Sequence, residues 1–134
     1  AYVNQKLNED AWVLARTSGR SAADYQAAMN TARLAHDLDP ANPDIINTLG
    51  VALYRAGHVE AATTALRQSD ALYFAATGQH NYADAAFLAM ASWQLGQKSD
   101  AATWLARLRE DVPRAANQAE AKAFLAEATA MVEK

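Results

Sequence analysis

The chain has no cysteine, only three prolines and five glycines in 134 residues, and aromatic side chains make up 8% of it. Each shortage excludes something. Without cysteine there can be no disulfide and no thiolate metal site, although this does not identify the compartment. So few glycines and prolines leave little material for a loop-rich fold, and no segment alternates apolar and polar residues with period two, so no strand is expected. No apolar run reaches the ~18 residues of a membrane span, and nothing at the start reads as a signal peptide. A cytoplasmic setting and no membrane partner are the expectations. The opening Ala in place of Met fits a segment of a larger protein. Twelve Lys and Arg face fifteen Asp and Glu, a net charge of −3. The charges are scattered with no basic run, which disfavours nucleic acid as a partner.

What remains is an alanine-rich chain, 51% hydrophobic and 20% charged. That composition suits helices packed around a real core. Helix starts are marked at several points. In "DPANPD", Asn42 can cap a helix whose first position is Pro43. "NYAD" offers Asn81 with Asp84 three residues on, "SAAD" offers Ser21 with Asp24, and "NQAE" offers Asn117 with Glu120. Gly57 and Gly96 each follow an apolar helical stripe and suit a left-handed C-terminal cap. These signals predict seven helices, at 3–17, 22–38, 43–56, 59–76, 82–95, 98–111 and 117–132.

The helices repeat. "YRAGHVEAATTAL" lies over "WQLGQKSDAATWL" at a spacing of 39, pairing Tyr54 with Trp93, Gly57 with Gly96, Ala62 with Ala101 and Leu66 with Leu105. A shift of 34 the other way places Ile46 over Trp12 and Ala62 over Ala28. Pro40 and Pro113 each stand twelve residues after Ala28 and Ala101. Gly50 sits in the middle of an apolar helix, where it costs on the order of 1 kcal/mol relative to Ala. Its expected role is close packing, with Gly50 facing Ala62 in the second copy and Ala89 facing Ala101 in the third.

This pattern of small and large positions resembles the tetratricopeptide repeat, W-x2-L-G-x2-Y followed by A-x3-F and P. The second copy carries it on Ile46, Leu49, Gly50, Leu53, Ala62 and Leu66, and the third on Ala85, Leu88, Ala89, Ser92, Ala101, Leu105 and Pro113. The first keeps Trp12, Ala28 and Pro40, but has Ala15, Arg16 and Gly19 where Leu, Gly and Tyr are expected. "AATGQHN" adds five residues before the third copy. "LNEDAWVLA", "NTLGVALYRAG" and "FLAMASWQLG" are further similar to tetratricopeptide segments of large bacterial proteins, some with neighbouring kinase or WD40 modules. The resemblance implies a single domain over 1–134: a right-handed α-solenoid of three helix hairpins (9–42, 43–76 and 82–115) with a capping helix at 117–132. It also implies that the first helix of each pair lines a concave surface. On the second and third copies that surface would carry Asn47, Val51, Tyr54, Arg55, Met90, Trp93 and Gln94. With Asp10 and Asp44 among the neighbours, it lacks the Lys, Arg and Asn set that clamps a chaperone C-terminus. A peptide with apolar anchors fits it better. Packing between helices is an equally good reading of Tyr54 and Trp93.

No catalytic constellation accompanies these residues. His36, His58 and His80 are evenly spaced by 22, but they fall late in a helix, in a turn and in a loop. His80 has only Asp84 within ligand spacing. The adjacent acids Glu9–Asp10 and Glu110–Asp111 point different ways on a helix, so neither forms an acid/base dyad. There is no phosphate loop, and no metal or cofactor is expected. The leading reading is therefore a non-enzymatic, monomeric module that binds a protein or peptide. A spacer or self-association segment is the alternative.

Overall fold

Short polar side chains set the helix starts where their spacing requires. The computed structural model describes residues 2–133. Among them are seven α-helices: α1 (Tyr2–Ala15), α2 (Ala22–Leu38), α3 (Pro43–Arg55), α4 (Val59–Thr77), α5 (Tyr82–Gln94), α6 (Lys98–Asp111) and α7 (Gln118–Val132). A 3-10 turn at Val112–Arg114 follows α6, and no strand occurs among the described residues. The chain is all-α, as expected. Ser21 Oγ accepts from the Asp24 amide at 3.1 Å, and Asn42 Oδ1 from that of Asp44 at 3.0 Å. Asn81 Oδ1 takes the Ala83 and Asp84 amides at 2.8 and 3.2 Å, and Asn117 Oδ1 that of Glu120 at 3.1 Å. Each contact satisfies an amide that the first helical turn would otherwise leave unpaired.

Helices α3 and α5 end alike. Gly57 and Gly96 have φ of +92° and +78°, values that glycine adopts without Cβ strain. Beside them, the His58 amide donates to the Leu53 carbonyl and the Gln97 amide to that of Ser92, at 2.9 and 2.8 Å, the long bond of a Schellman closure. Of the stretch 75–81 before the third copy, residues through Thr77 continue α4 and the rest form the loop to α5. There Thr77 Oγ1 donates to the Tyr73 carbonyl and accepts from the Gln79 amide, and Gly78 turns the chain at φ +74°.

The chain divides into two compact units, Ala1–Ser69 and Asp70–Lys134, with the division inside α4. Positions 1 and 134 of the expected domain span lie outside the described residues. In the first unit α1, α2 and α3 pack on one another. Helix α1 ends at Ala15 and buries Ala11 and Ala15, so Arg16 lies beyond the helix end and is exposed. Every residue of α3 from Ile45 to Tyr54 is buried. The first half of α4 crosses α3 at Gly50. A Cβ there would lie 2.7 Å from Leu66 Cγ and Cδ2 and 3.3 Å from the Leu66 nitrogen. Gly50 is thus a close-approach residue, but the side chain facing it is Leu66, one turn beyond the expected Ala62. In the second unit α5 packs on α6 and α7, which also meet each other. Phe87 and Phe124 meet edge to face in its core, 5.1 Å between centroids.

The Gly50 contact sets a test. Leu66 has no exposed surface and cannot swing out of the way. Gly50→Ala therefore gains ~1 kcal/mol of helix propensity but meets an overpacking cost of ~1–3 kcal/mol, and should melt below wild type. Gly50→Leu should melt lower still. Gly50→Ala combined with Leu66→Ala should lose less than the sum of the two single changes, because the second makes room for the first. Thermal melts followed by circular dichroism read all four; a Gly50→Leu variant that melts with wild type would refute the crossing.

Candidate functional site

Trp93 and Gln94 are the last two residues of α5, just before the Gly96 closure. The indole is half-buried and Gln94 is exposed. Helix α7 packs on α5 and brings Glu127, Ala130 and Met131 alongside, three residues that share one face at helical spacing. Together the five line an open cleft of about 460 Å³. Gln94 Nε2 donates to Met131 Sδ at 3.9 Å, tying the two walls. The ammonium of Lys98 stands 5.0 Å from the Trp93 ring centroid, within the range of a cation–π contact. The cleft is apolar on Trp93, Ala130 and Met131, with an amide and a carboxylate at its edge. It can hold an apolar side chain and bond the chain that carries it.

The other expected binding residues sit differently. Met90, one turn before Trp93, has no accessible surface. In the first unit Val51 is likewise fully buried, and Asn47 and Tyr54 are each 8% exposed. Arg55 is half-buried and caps the C-terminus of α1. Its Nε donates to the Ala15 carbonyl at 2.9 Å and its Nη2 to the Arg16 carbonyl at 3.4 Å. The guanidinium carbon also lies 5.8 Å from the Tyr25 ring centroid. A cation on the carbonyl end of a helix is favoured both by the dipole and by the unpaired carbonyls. Of the seven residues, then, only Trp93 and Gln94 line the cleft. The α3 set and the α5 set belong to different units.

One polar pair was not anticipated. His80 Nδ1 lies 3.0 and 2.9 Å from the two oxygens of Asp70, a partner ten residues upstream on α4. The Phe74 ring stacks on the imidazole at 4.8 Å between centroids, and Trp104 meets it edge-on at 6.3 Å. The pair ties the loop after α4 back onto that helix. A signal for it was present in the sequence: Asp70 continues the apolar stripe of Ala62 and Leu66 at intervals of four, where a carboxylate needs a buried partner. Tyr82 similarly donates to Glu120 Oε1 at 2.6 Å, joining the starts of α5 and α7. His80 bonds no hydroxyl, and the described residues include no group of three or more His, Asp and Glu able to hold a metal.

No family model matches this chain, and no curated protein or solved structure matches it.

The His80–Asp70 pair yields a stability prediction. Removing His80 strands a buried carboxylate, so His80→Ala should cost about 1–3 kcal/mol in urea denaturation. His80→Ala with Asp70→Ala together should cost less than His80→Ala alone plus Asp70→Ala alone, since neither group is then left unpaired. Strict additivity would show that Asp70 does not depend on the imidazole.

Proposed function

We propose that this chain is a protein–protein interaction module, a right-handed α-solenoid of three tetratricopeptide-like hairpins with a capping helix α7, which holds a peptide or partner surface. The observation that carries the reading is the cleft of Trp93, Gln94, Glu127, Ala130 and Met131. Large, half-exposed aromatics beside adaptable Met and small Ala are the usual anchors of interfaces, because they bury much area at little entropy cost. The partner inserts an aromatic or aliphatic side chain against Trp93, and Gln94 and Glu127 bond its backbone.

The repeat supports the hairpin array. Asn42 and Asn81 cap α3 and α5 at a spacing of 39, and Gly57 and Gly96 close the same helices at the same spacing with matching bonds. A surface carried by α3 and α5 is what the tetratricopeptide resemblance implies, and Trp93 and Gln94 stand at the end of α5. We place the module in the cytoplasm. No described helix is long and apolar enough to cross a membrane.

The test is selection from a displayed random-peptide library, followed by titration of the selected peptide. Selected sequences should share one aromatic or aliphatic anchor. Trp93→Ala should weaken binding by about 30-fold, the ~2 kcal/mol of an interface hot spot, with melting near wild type. Tyr54→Ala should lower the melting temperature, because Tyr54 is buried. Selection of peptides with no shared anchor, or equal affinity for Trp93→Ala, would remove the reading. A dimer seen by sedimentation and abolished by Trp93→Ala would assign the cleft to self-association.

A further inference from the structure

Helix α2 turns a leucine stripe to solvent. Its buried residues, Tyr25, Ala28, Met29, Ala32 and Ala35, share one side of the helix. On the opposite side Ala23, Ala27, Leu34 and Leu38 follow one another at intervals of four, seven and four, the spacing of a single face. All four are exposed, Leu34 by 51% and Leu38 by 55%. The apolar surface widens at the C-terminal end of α2, where Leu38 lines a cleft beside α1 with Val3, itself 62% exposed. One exposed leucine is ordinary; three large aliphatic side chains gathered at one end of a helix hairpin mark a contact surface.

The charges beside the stripe narrow what can cover it. Arg33 and Asp37 stand one turn apart on the same flank, both exposed. Neither takes part in an ion pair among the described residues, although their spacing would allow one. An antiparallel pair of α2 helices related by a two-fold axis keeps this flank of both copies on the same side. With the pair centred between Leu34 and Leu38, each leucine meets the leucines of the other copy. Arg33 of either copy then stands opposite Asp37 of the other, so the pairing occurs twice. The surface is complementary to itself in apolar area and in charge.

We infer that a second copy of this chain covers the stripe, α2 against α2 across a two-fold axis. Leu34 and Leu38 of each copy fill the centre, Val3 extends it, and two Arg33–Asp37 pairs close one edge. Apolar burial supplies the attraction, while the exposed ion pairs add little and fix direction and register. The contact is small, so the dimer is weak and forms as concentration rises. It goes beyond the Trp93 cleft: it lies in the other unit, engages another copy of this chain and puts a dimer in place of the monomer that the sequence suggested.

Sedimentation equilibrium over a wide range of protein concentration tests the assignment. Wild type should pass from monomer to dimer as concentration rises. Leu34→Asp, at an exposed position, should weaken the dimer by about tenfold or more while melting with wild type. Charge exchange reads the direction of the pair. Arg33→Asp puts two acids on the flank, Asp37→Arg puts two bases there, and each variant should self-associate about fivefold less tightly. The two mixed should associate better than either alone, and the double variant Arg33→Asp with Asp37→Arg should regain the wild-type constant. These charge variants leave the leucines in place, so they decide the matter even if Leu34→Asp unfolds. Trp93→Ala should leave the dimer unchanged, which separates failure here from failure of the Trp93 cleft. A monomer at every concentration, a dimer indifferent to Leu34→Asp or abolished by Trp93→Ala, or charge variants that gain nothing on mixing would overturn the proposal.

Discussion

Ten consecutive residues of α3, Ile45 to Tyr54, are buried, and so are ten of α5, Ala83 to Ser92. A helix with no solvent face has to be slender, apolar and internally satisfied, and most features of this chain follow from that requirement. Alanine dominates α5 because small side chains let neighbouring backbones come close. Gly50 goes one step further in α3, where even a methyl group would collide with Leu66. Thr48 Oγ1 donates to the Asp44 carbonyl of its own helix at 3.0 Å, whereas the buried Ser92 Oγ of α5 has no hydrogen-bond partner. The same burial removes the middle of each helix from any encounter with a ligand. Val51 and Met90 are core residues of these helices, and accessible chemistry is pushed to the helix ends.

The ends are where the polar side chains accumulate, and several serve two purposes. Asn42 caps α3 with its oxygen and holds Asp39 with its nitrogen, so one amide both starts a helix and frames a cleft. Arg55 leaves the end of α3 to cap α1, forty residues away in sequence. Tyr25 donates to the Thr17 carbonyl at 2.6 Å and accepts from the Arg20 amide at 3.1 Å, bracing the turn between α1 and α2. His80 and Asp70 do the same work for the loop between α4 and α5. The Asn42 and Arg55 contacts satisfy groups that helix termini expose.

The two clefts differ in the chemistry they offer. The Trp93 cleft is apolar with a polar edge and rewards shape and buried area. The cleft beside α1 is lined among the described residues by the carboxylates of Glu9, Asp39 and Asp44.

Local sequence determined the helices, their caps and their closures. Asn42, Asn81, Asn117 and Ser21 reach amides two or three residues away, and Gly57 and Gly96 supply a backbone angle other residues adopt only under strain, so these features depend on no distant partner. The recurrence at 39 residues was readable for the same reason. Gly50 could be identified as a packing residue from its cost, yet its facing residue, Leu66 rather than Ala62, depended on how α4 is rotated against α3. The sites were the least readable part. Trp93 and Gln94 could be singled out by repeat position, but Met131 reaches Gln94 across 37 residues, and Asn4 reaches Asp39 across 35. Helical periodicity states which side chains share a face; which face meets which is decided by the volumes packed between the helices. Only tertiary packing could therefore bury Val51 and Met90, leave Trp93 half open and give His80 to Asp70.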